Sequence, residues 1–159
     1  MKKVFGSGFL KAVLVAWLLS GTLDIVAAFV QGYVMRGILP QTILRYVASG
    51  IFGSDAFTGS ALMVLSGLVI HFFIAFCWAF LYFVMYPRAD FLHKSPLISG
   101  IIYGAFVWIV MNRVIVPLTA IPAAPFNLTN ALIGMGILML MIGLPDAFLA
   151  QWYYGGKRP

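Results

Sequence analysis

Three of the ionisable side chains within the apolar runs of this sequence stand out: Asp24, His71 and Arg113. An ionisable group at the centre of a bilayer costs about 2.5–3.5 kcal/mol on insertion scales, so such residues pair with one another or line a polar cavity. At about 1.5 Å of rise per residue, along helices of alternating direction, all three reach a similar depth. Asn112 and Asn130 lie near that level. The sequence therefore predicts a polar site that binds or passes a small polar solute, an ion or a proton.

Helical spacing places Asp24 and His71 on the inward faces of their helices. Both belong to stripes of small and polar residues, which mark helix–helix contacts in lipid. These stripes comprise Trp17, Ser20, Gly21, Ala28 and Gln31 in the first run, and Ser60, Gly67, Ala75, Trp78 and Tyr82 in the second. Arg113 lies off the glycine ridge of its own run, so it either points inward beside Asn112 or extends outward to the headgroups.

A structural interpretation competes with the polar site. Asp24 and Arg113 would then form an ion pair that only holds helices together, or Asp24 would bond to backbone and serine partners. His71 would be a hydrogen-bonded histidine between two helices. Asp146 follows Pro145, and aspartate is a favoured N-cap residue, so we predict that it caps the turn after the proline. The alternative is that Asp146 belongs to a second polar group, nearer the other end of the helices.

Composition explains why these residues lie in membrane-spanning helices. The chain has 159 residues, 63% of them hydrophobic and 9% charged, whereas soluble domains have about 45–50% apolar and about 25% charged residues. So short a chain cannot bury that much apolar surface, and a helix satisfies its own backbone hydrogen bonds in lipid. We predict a single-domain, all-α polytopic membrane protein, a bundle of four transmembrane helices at roughly 9–33, 57–86, 97–116 and 128–154.

The connections carry two further signals. Residues 40–52 predict a short amphipathic helix at the membrane interface, with Pro40 in its first turn. Gly100 and Gly104 have the GxxxG spacing of a helix-contact face. Seven basic residues flank the side of both termini and three the other side, which predicts cytoplasmic termini; the seven are Lys2, Lys3, Lys11, Arg88, Lys94, Lys157 and Arg158, and the three are Arg36, Arg45 and Arg113.

Several function classes are disfavoured. The +6 formal charge is scattered along the edges of apolar runs, which argues against nucleic-acid binding. No nucleophile–base arrangement, phosphate-binding loop or metal-ligand spacing is present in the sequence, so we predict no enzyme activity, catalytic residue, metal or cofactor. Cys77 is the single cysteine. His93 is the other histidine and lies on a predicted loop, which leaves His71 without a second histidine ligand for a metal or haem.

The stretches HFFIAFCWAFLYFVMYPRADFL and GIIYGAFVWIVMNRVIVPLTAIP, roughly residues 71–122, resemble the YagU-like family of bacterial inner-membrane proteins. The likeness consists of a histidine opening an aromatic-rich helix, a proline-ended turn, a glycine-spaced third helix and the VPL sequence. It covers about a third of the chain. The resemblance implies a location in the bacterial inner membrane and supplies no catalytic residues.

Two other functions compete with the polar site. The first is an accessory or assembly subunit of a larger membrane complex, in which the polar groups serve helix packing; the small size and the glycine ridge favour it. The second is a lipid-modifying enzyme. The expected partners are the lipid bilayer and either further copies of the chain or a larger membrane complex.

Overall fold

The computed structural model describes residue 6 and residues 8–121 and 126–155, and throughout these the regular structure is helical, with no strand. Four helical spans are long and apolar enough to cross a membrane, at Phe9–Arg36, Ala61–Arg88, Pro96–Leu118 and Leu128–Gly155. The predicted all-α fold with four spanning helices is confirmed. Four of the basic residues used to predict the orientation lie outside the described residues, namely Lys2, Lys3, Lys157 and Arg158.

The spans run up and down in turn. The first is α1 (Phe9–Arg36), the second is built on α4 (Ala61–Met85), and the third begins with α6 (Pro96–Val110). The fourth comprises α7 (Leu128–Leu138), a π-helical turn and α8 (Leu144–Gly155). The start of α1 and the end of α8 therefore lie on the same side of the bundle, which is here called the terminal end. The opposite side is called the loop end.

Three short helices complete the chain: α2 (Pro40–Phe52), α3 (Asp55–Thr58) and α5 (Asp90–Lys94). The predicted helix at 40–52 is thus present, with proline in its first turn. It buries Leu44, Ala48 and Ser49 and packs against α4, where a methyl group on Gly67 would overlap the Leu44 backbone. Hence α2 covers the loop end of the second span at backbone contact.

The predicted glycine ridge is confirmed as a helix-contact face, and it is used inside the chain. A methyl group on Gly100 would lie 2.8 Å from the Gly143 carbonyl oxygen, and one on Gly104 would overlap the Met139 backbone. The third and fourth spans therefore touch main chain to main chain, which only residues without a side chain permit.

Each of these two spans contains a π-helical turn, at Met111–Ile115 and Met139–Gly143. A proline, Pro117 or Pro145, is the second residue after each turn. Proline lacks an N–H and its ring clashes with the carbonyl four residues earlier. The wider turn, closed by bonds between residues five apart, moves that carbonyl away. The fourth span therefore continues through Pro145 into α8, whereas the third span ends at Leu118, in a short 3-10 turn that contains Pro117.

Bulky aromatic rings fill the terminal end. Tyr82, Phe83 and Tyr86 of the second span are almost fully buried. Phe9 packs edge-on against Phe83, with ring centroids 6.3 Å apart. In contrast, no residue of α7 is buried inside the protein. The bundle is therefore tightest near the chain termini and more open towards the loop end.

Candidate functional site

Asp24 and His71 form a pair across the seam between α1 and α4. The His71 Nδ1 atom lies 4.0 Å from Asp24 Oδ2, and the side chains of His71 and Asp24 are 12% and 18% exposed. The other ring nitrogen, Nε2, lies 2.9 Å from the Gly21 carbonyl oxygen. The structure therefore brings these two predicted residues together at mid-helix.

The Gly21 contact determines which nitrogen of His71 carries a proton. A carbonyl oxygen only accepts hydrogen bonds, so Nε2 must donate and must be protonated. In a neutral imidazole, Nδ1 is then a bare acceptor facing Asp24. An ionised carboxylate is also an acceptor, and two acceptors facing each other in a sheltered site repel. One additional proton, on either the ring or the carboxyl group, removes this conflict and leaves the pair with no net charge.

Small residues on α1 make the contact possible. A methyl group on Gly21 would lie 3.1 Å from Phe72 and Ala75, so glycine lets α4 approach closely enough for His71 to reach the main chain. One turn earlier, Trp17 Nε1 donates to the Phe72 carbonyl oxygen at 2.6 Å. The stripe of small and polar residues on α1 therefore fixes the seam at two levels.

Arg113 lies apart from this pair. Its guanidinium carbon is 4.7 Å from the centroid of the Phe126 ring, a cation–π geometry, and its side chain is exposed. The ion pairs of the described residues join His71 to Asp24 and His93 to Asp90, so none involves Arg113. Of the two orientations that the sequence leaves open, the structure has the outward one.

The two asparagines have local partners. Asn112 is exposed, and its Nδ2 donates to the Trp108 carbonyl oxygen at 3.0 Å in its own helix. Asn130 lies in the first turn of α7, where its backbone N–H donates to the Asn127 side chain at 2.9 Å. Neither has a side-chain bond to Asp24 or His71 among the described contacts.

Asp146 is more deeply placed than its sequence context predicts. This residue is 0% exposed, and neither carboxylate oxygen has a hydrogen-bond partner among the described residues. The predicted capping role is therefore wrong, because a capping carboxylate accepts a backbone N–H. Ser20 is the residue of the sequence that could have indicated this site, because it belongs to the polar stripe of α1. In the structure it lies beside the Asp146 carboxyl group.

Metal binding has no support in the described ranges, where no three His, Cys, Asp or Glu side chains come together. A second histidine–aspartate pair, His93 and Asp90, has the same 4.0 Å separation, but the Asp90 side chain is fully exposed. This pair is a useful reference, since it offers the same chemical groups in water.

Comparisons leave the assignment to the structure: no family model, curated protein or solved structure matches this chain. What decides the class is the set of four long apolar spans. The chain is a multi-pass integral membrane protein. Its outward surface is correspondingly apolar, with exposed side chains such as Val34, Leu62, Val69 and Phe73 along the spans.

Proposed function

We propose that this membrane protein binds a proton at the Asp24–His71 pair, and that this binding controls the passage of a proton, an ion or a small polar solute through the loop-end half of the bundle. The observation that carries the proposal is the Nε2 contact with Gly21, which leaves Nδ1 facing the carboxyl group. When the shared proton leaves, two acceptor atoms remain 4.0 Å apart. A cation or a hydrogen-bond donor from a solute can then take the place of the proton.

The location we propose is the bacterial inner membrane, with both termini in the cytoplasm. The resemblance to the YagU-like family supports the bacterial inner membrane. The excess of basic residues on the terminal side supports cytoplasmic termini, with the loop end facing outward. In that orientation, the Asp24–His71 pair lies in the outer half of the protein.

The rival proposal is an accessory subunit of a larger membrane complex. The small size of the chain and the glycine ridge favoured it, and such a ridge is a common surface for binding a second helix. That ridge packs against the fourth span of the same chain, at Met139 and Gly143. It is therefore not free for a partner, and the buried pair is the better-supported basis for a function.

The first experiment detects the protonation of the His71 ring nitrogens directly. The chain has two histidines, so His93→Gln leaves His71 as the single histidine. Nitrogen NMR of this variant, labelled with ¹⁵N-histidine in lipid, reports both ring nitrogens. We expect Nε2 to stay protonated while Nδ1 gains and loses a proton with pH. In the variant that also carries Asp24→Asn, the asparagine side-chain amide donates to Nδ1. We expect that Nδ1 then no longer takes up a proton in the same pH range.

The second experiment tests passage. Proton flux into proteoliposomes is followed with an enclosed pH-sensitive dye for Asp24→Asn, for His71→Gln and for the double variant. We expect each single substitution to remove the protein-dependent flux, and the double variant to be no worse, because the two residues act as one unit. The matched controls are Asp90→Asn and His93→Gln. Flux that is unchanged in the Asp24 and His71 variants would refute the proposal.

A further inference from the structure

One buried acid remains without a role. Asp146 lies in the first turn of α8, fully enclosed. Ser20 of α1 lies beside its carboxyl group, and Tyr82 of α4 and Tyr103 of α6 are close enough to interact with it electrostatically. Each of the other three spans thus has one hydroxyl-bearing residue beside this carboxyl group or within electrostatic range of it.

Each of these hydroxyl groups has a hydrogen-bond partner other than Asp146. Ser20 donates to the carbonyl oxygen one turn earlier in its own helix at 2.8 Å. The Tyr103 hydroxyl donates to the Trp78 carbonyl oxygen at 2.7 Å, and the Tyr82 hydroxyl is 3.0 Å from Ser99 Oγ. Among the described residues no cation pairs with the Asp146 carboxyl group, so its ionised form would be buried without a compensating charge, which is strongly unfavourable. A buried acid in this position takes up a proton instead.

The position of Ser20 connects this acid to the Asp24–His71 pair. Ser20 and Asp24 are four residues apart on α1, so their side chains lie on one face, with Cβ atoms about 5–6 Å apart. A hydroxyl group donates and accepts at once, and a separation of this size is short enough for one water molecule to bridge. In the other direction, the Tyr82–Ser99 bond leads to the start of α6, where Ser99 also lies 3.3 Å from the Pro96 carbonyl oxygen.

We propose that Asp146 is a second proton-binding site, and that Ser20 links it to Asp24 to form a proton relay between the two halves of the bundle. The relay rests on the function proposed for the outer pair. In one step, Ser20 passes its hydroxyl proton through the bridging water to the Asp24 carboxylate, and the Asp146 carboxyl proton replaces it. Asp146 then regains a proton from the terminal end, by way of the Tyr82 and Ser99 hydroxyl groups. The net result is the movement of one proton between the terminal end and the Asp24–His71 pair, and no electron is transferred.

A purely structural role for Asp146 predicts different chemistry. An acid retained for packing would accept hydrogen bonds from its helix or its neighbours, and its oxygens accept none among the described residues. A carboxyl group that is fully buried, with Ser20 beside it and Tyr82 and Tyr103 within electrostatic range, has the arrangement of a site that exchanges protons.

The first test is infrared spectroscopy of the protein in lipid, in H₂O and in D₂O, for wild type, Asp146→Asn and Asp55→Asn. Asp55 is exposed at the loop end and serves as the matched control. We expect a deuterium-sensitive carbonyl band of a protonated carboxyl group in the wild type and in Asp55→Asn, and its loss or reduction in Asp146→Asn. A band that is identical in all three proteins would overturn the assignment, whatever the transport activity.

The second test is proton flux in proteoliposomes driven by a potassium diffusion potential. We expect Asp146→Asn and Ser20→Ala to reduce the flux to that of protein-free vesicles, and Ser20→Thr, which keeps the hydroxyl group, to restore it. The control on the same helix is Thr22→Ala, an exposed position.

Two outcomes separate the proposals. If Asp24→Asn removes the flux and Asp146→Asn does not, the relay is wrong and the outer site stands. If wild-type vesicles pass no more protons than empty ones, or if the Asp24 variant conducts like wild type, the relay fails together with the proposed function.

Discussion

A single methyl group at Gly104 should separate the third and fourth spans. The added Cβ would lie 2.6 Å from the Met139 nitrogen and 2.7 Å from the Leu138 carbonyl oxygen, whereas carbon contacts are favourable at about 3.5–4.0 Å. The helices must therefore part by about 1 Å at this level. Both obstacles are backbone atoms, so no side chain can rotate away to relieve the overlap.

The size of the destabilisation can be worked out from this geometry. Overpacking of a tight interface costs about 1–3 kcal/mol, and the gain in helix propensity from glycine to alanine offsets up to about 1 kcal/mol. A net loss of about 1–2 kcal/mol changes the unfolding equilibrium by a factor of about 5–30. Gly136→Ala is the matched control, because a methyl group there meets no atom within 4 Å; it should leave the stability unchanged or raise it slightly.

The measurement is reversible unfolding in mixed micelles titrated with a denaturing detergent, followed by circular dichroism. Gly104→Ala should unfold at a lower fraction of denaturing detergent than wild type, and Gly136→Ala should not. If the two alanine variants unfold together, the third and fourth spans do not touch at the main chain, and the packing derived from the glycine ridge is wrong.

Three further predictions concern single side chains. Arg45→Gln should destabilise the loop end by about 1.5–3 kcal/mol, because Arg45 Nη1 donates to the carbonyl oxygens of Ala56 in α3 and of Gly59 after it, at 2.8 Å each. The unfolding titration measures this loss, and an unchanged midpoint would contradict it. Tyr103→Phe removes the buried bond to the Trp78 carbonyl and should cost about 1–2 kcal/mol in the same titration; a variant as stable as wild type would show that the hydroxyl group contributes nothing. Cys77 is free and lies on the outer surface in the middle of α4, where lipid would cover it. A charged thiol reagent should therefore fail to modify it in proteoliposomes and should modify it after unfolding. Modification in intact bilayers would show that this face of α4 is not in lipid.

The spans could be predicted from the sequence because bilayer thickness sets their length and backbone chemistry makes them helical. The predicted and observed spans differ at their ends. The second span was expected from residue 57, and the structure starts α4 at Ala61. Ser60 accepts a bond from the Leu62 nitrogen at 3.3 Å, so a cap separates α4 from the short helix α3. Capping chemistry of this kind is local and easily missed inside an apolar run.

The candidate site could be predicted only where the helices are regular. Asp24 and His71 lie on uninterrupted α-helices, so a 100° wheel gives their faces correctly. Arg113 lies inside one π-helical turn and Asp146 comes after another. Each such turn contains about one extra residue and rotates the remainder of its helix by about 100°. For this reason the sequence left the orientation of Arg113 open, and for Asp146 it predicted only a local cap. No pattern of hydrophobicity reveals the two π-helical turns.

The seam between the second and third spans differs from the glycine seam, because the rings of Trp78, Tyr103 and Phe106 hold its backbones apart. Two apolar grooves open along it, of about 170 and 310 Å³; their walls include Met85, Leu92, Ile102, Ile74, Leu81 and Ile115. In a membrane, annular acyl chains fill such grooves. Delipidation by a rigid, steroid-like detergent would leave them empty, so the protein should survive purification longest in amphiphiles with a single flexible alkyl tail.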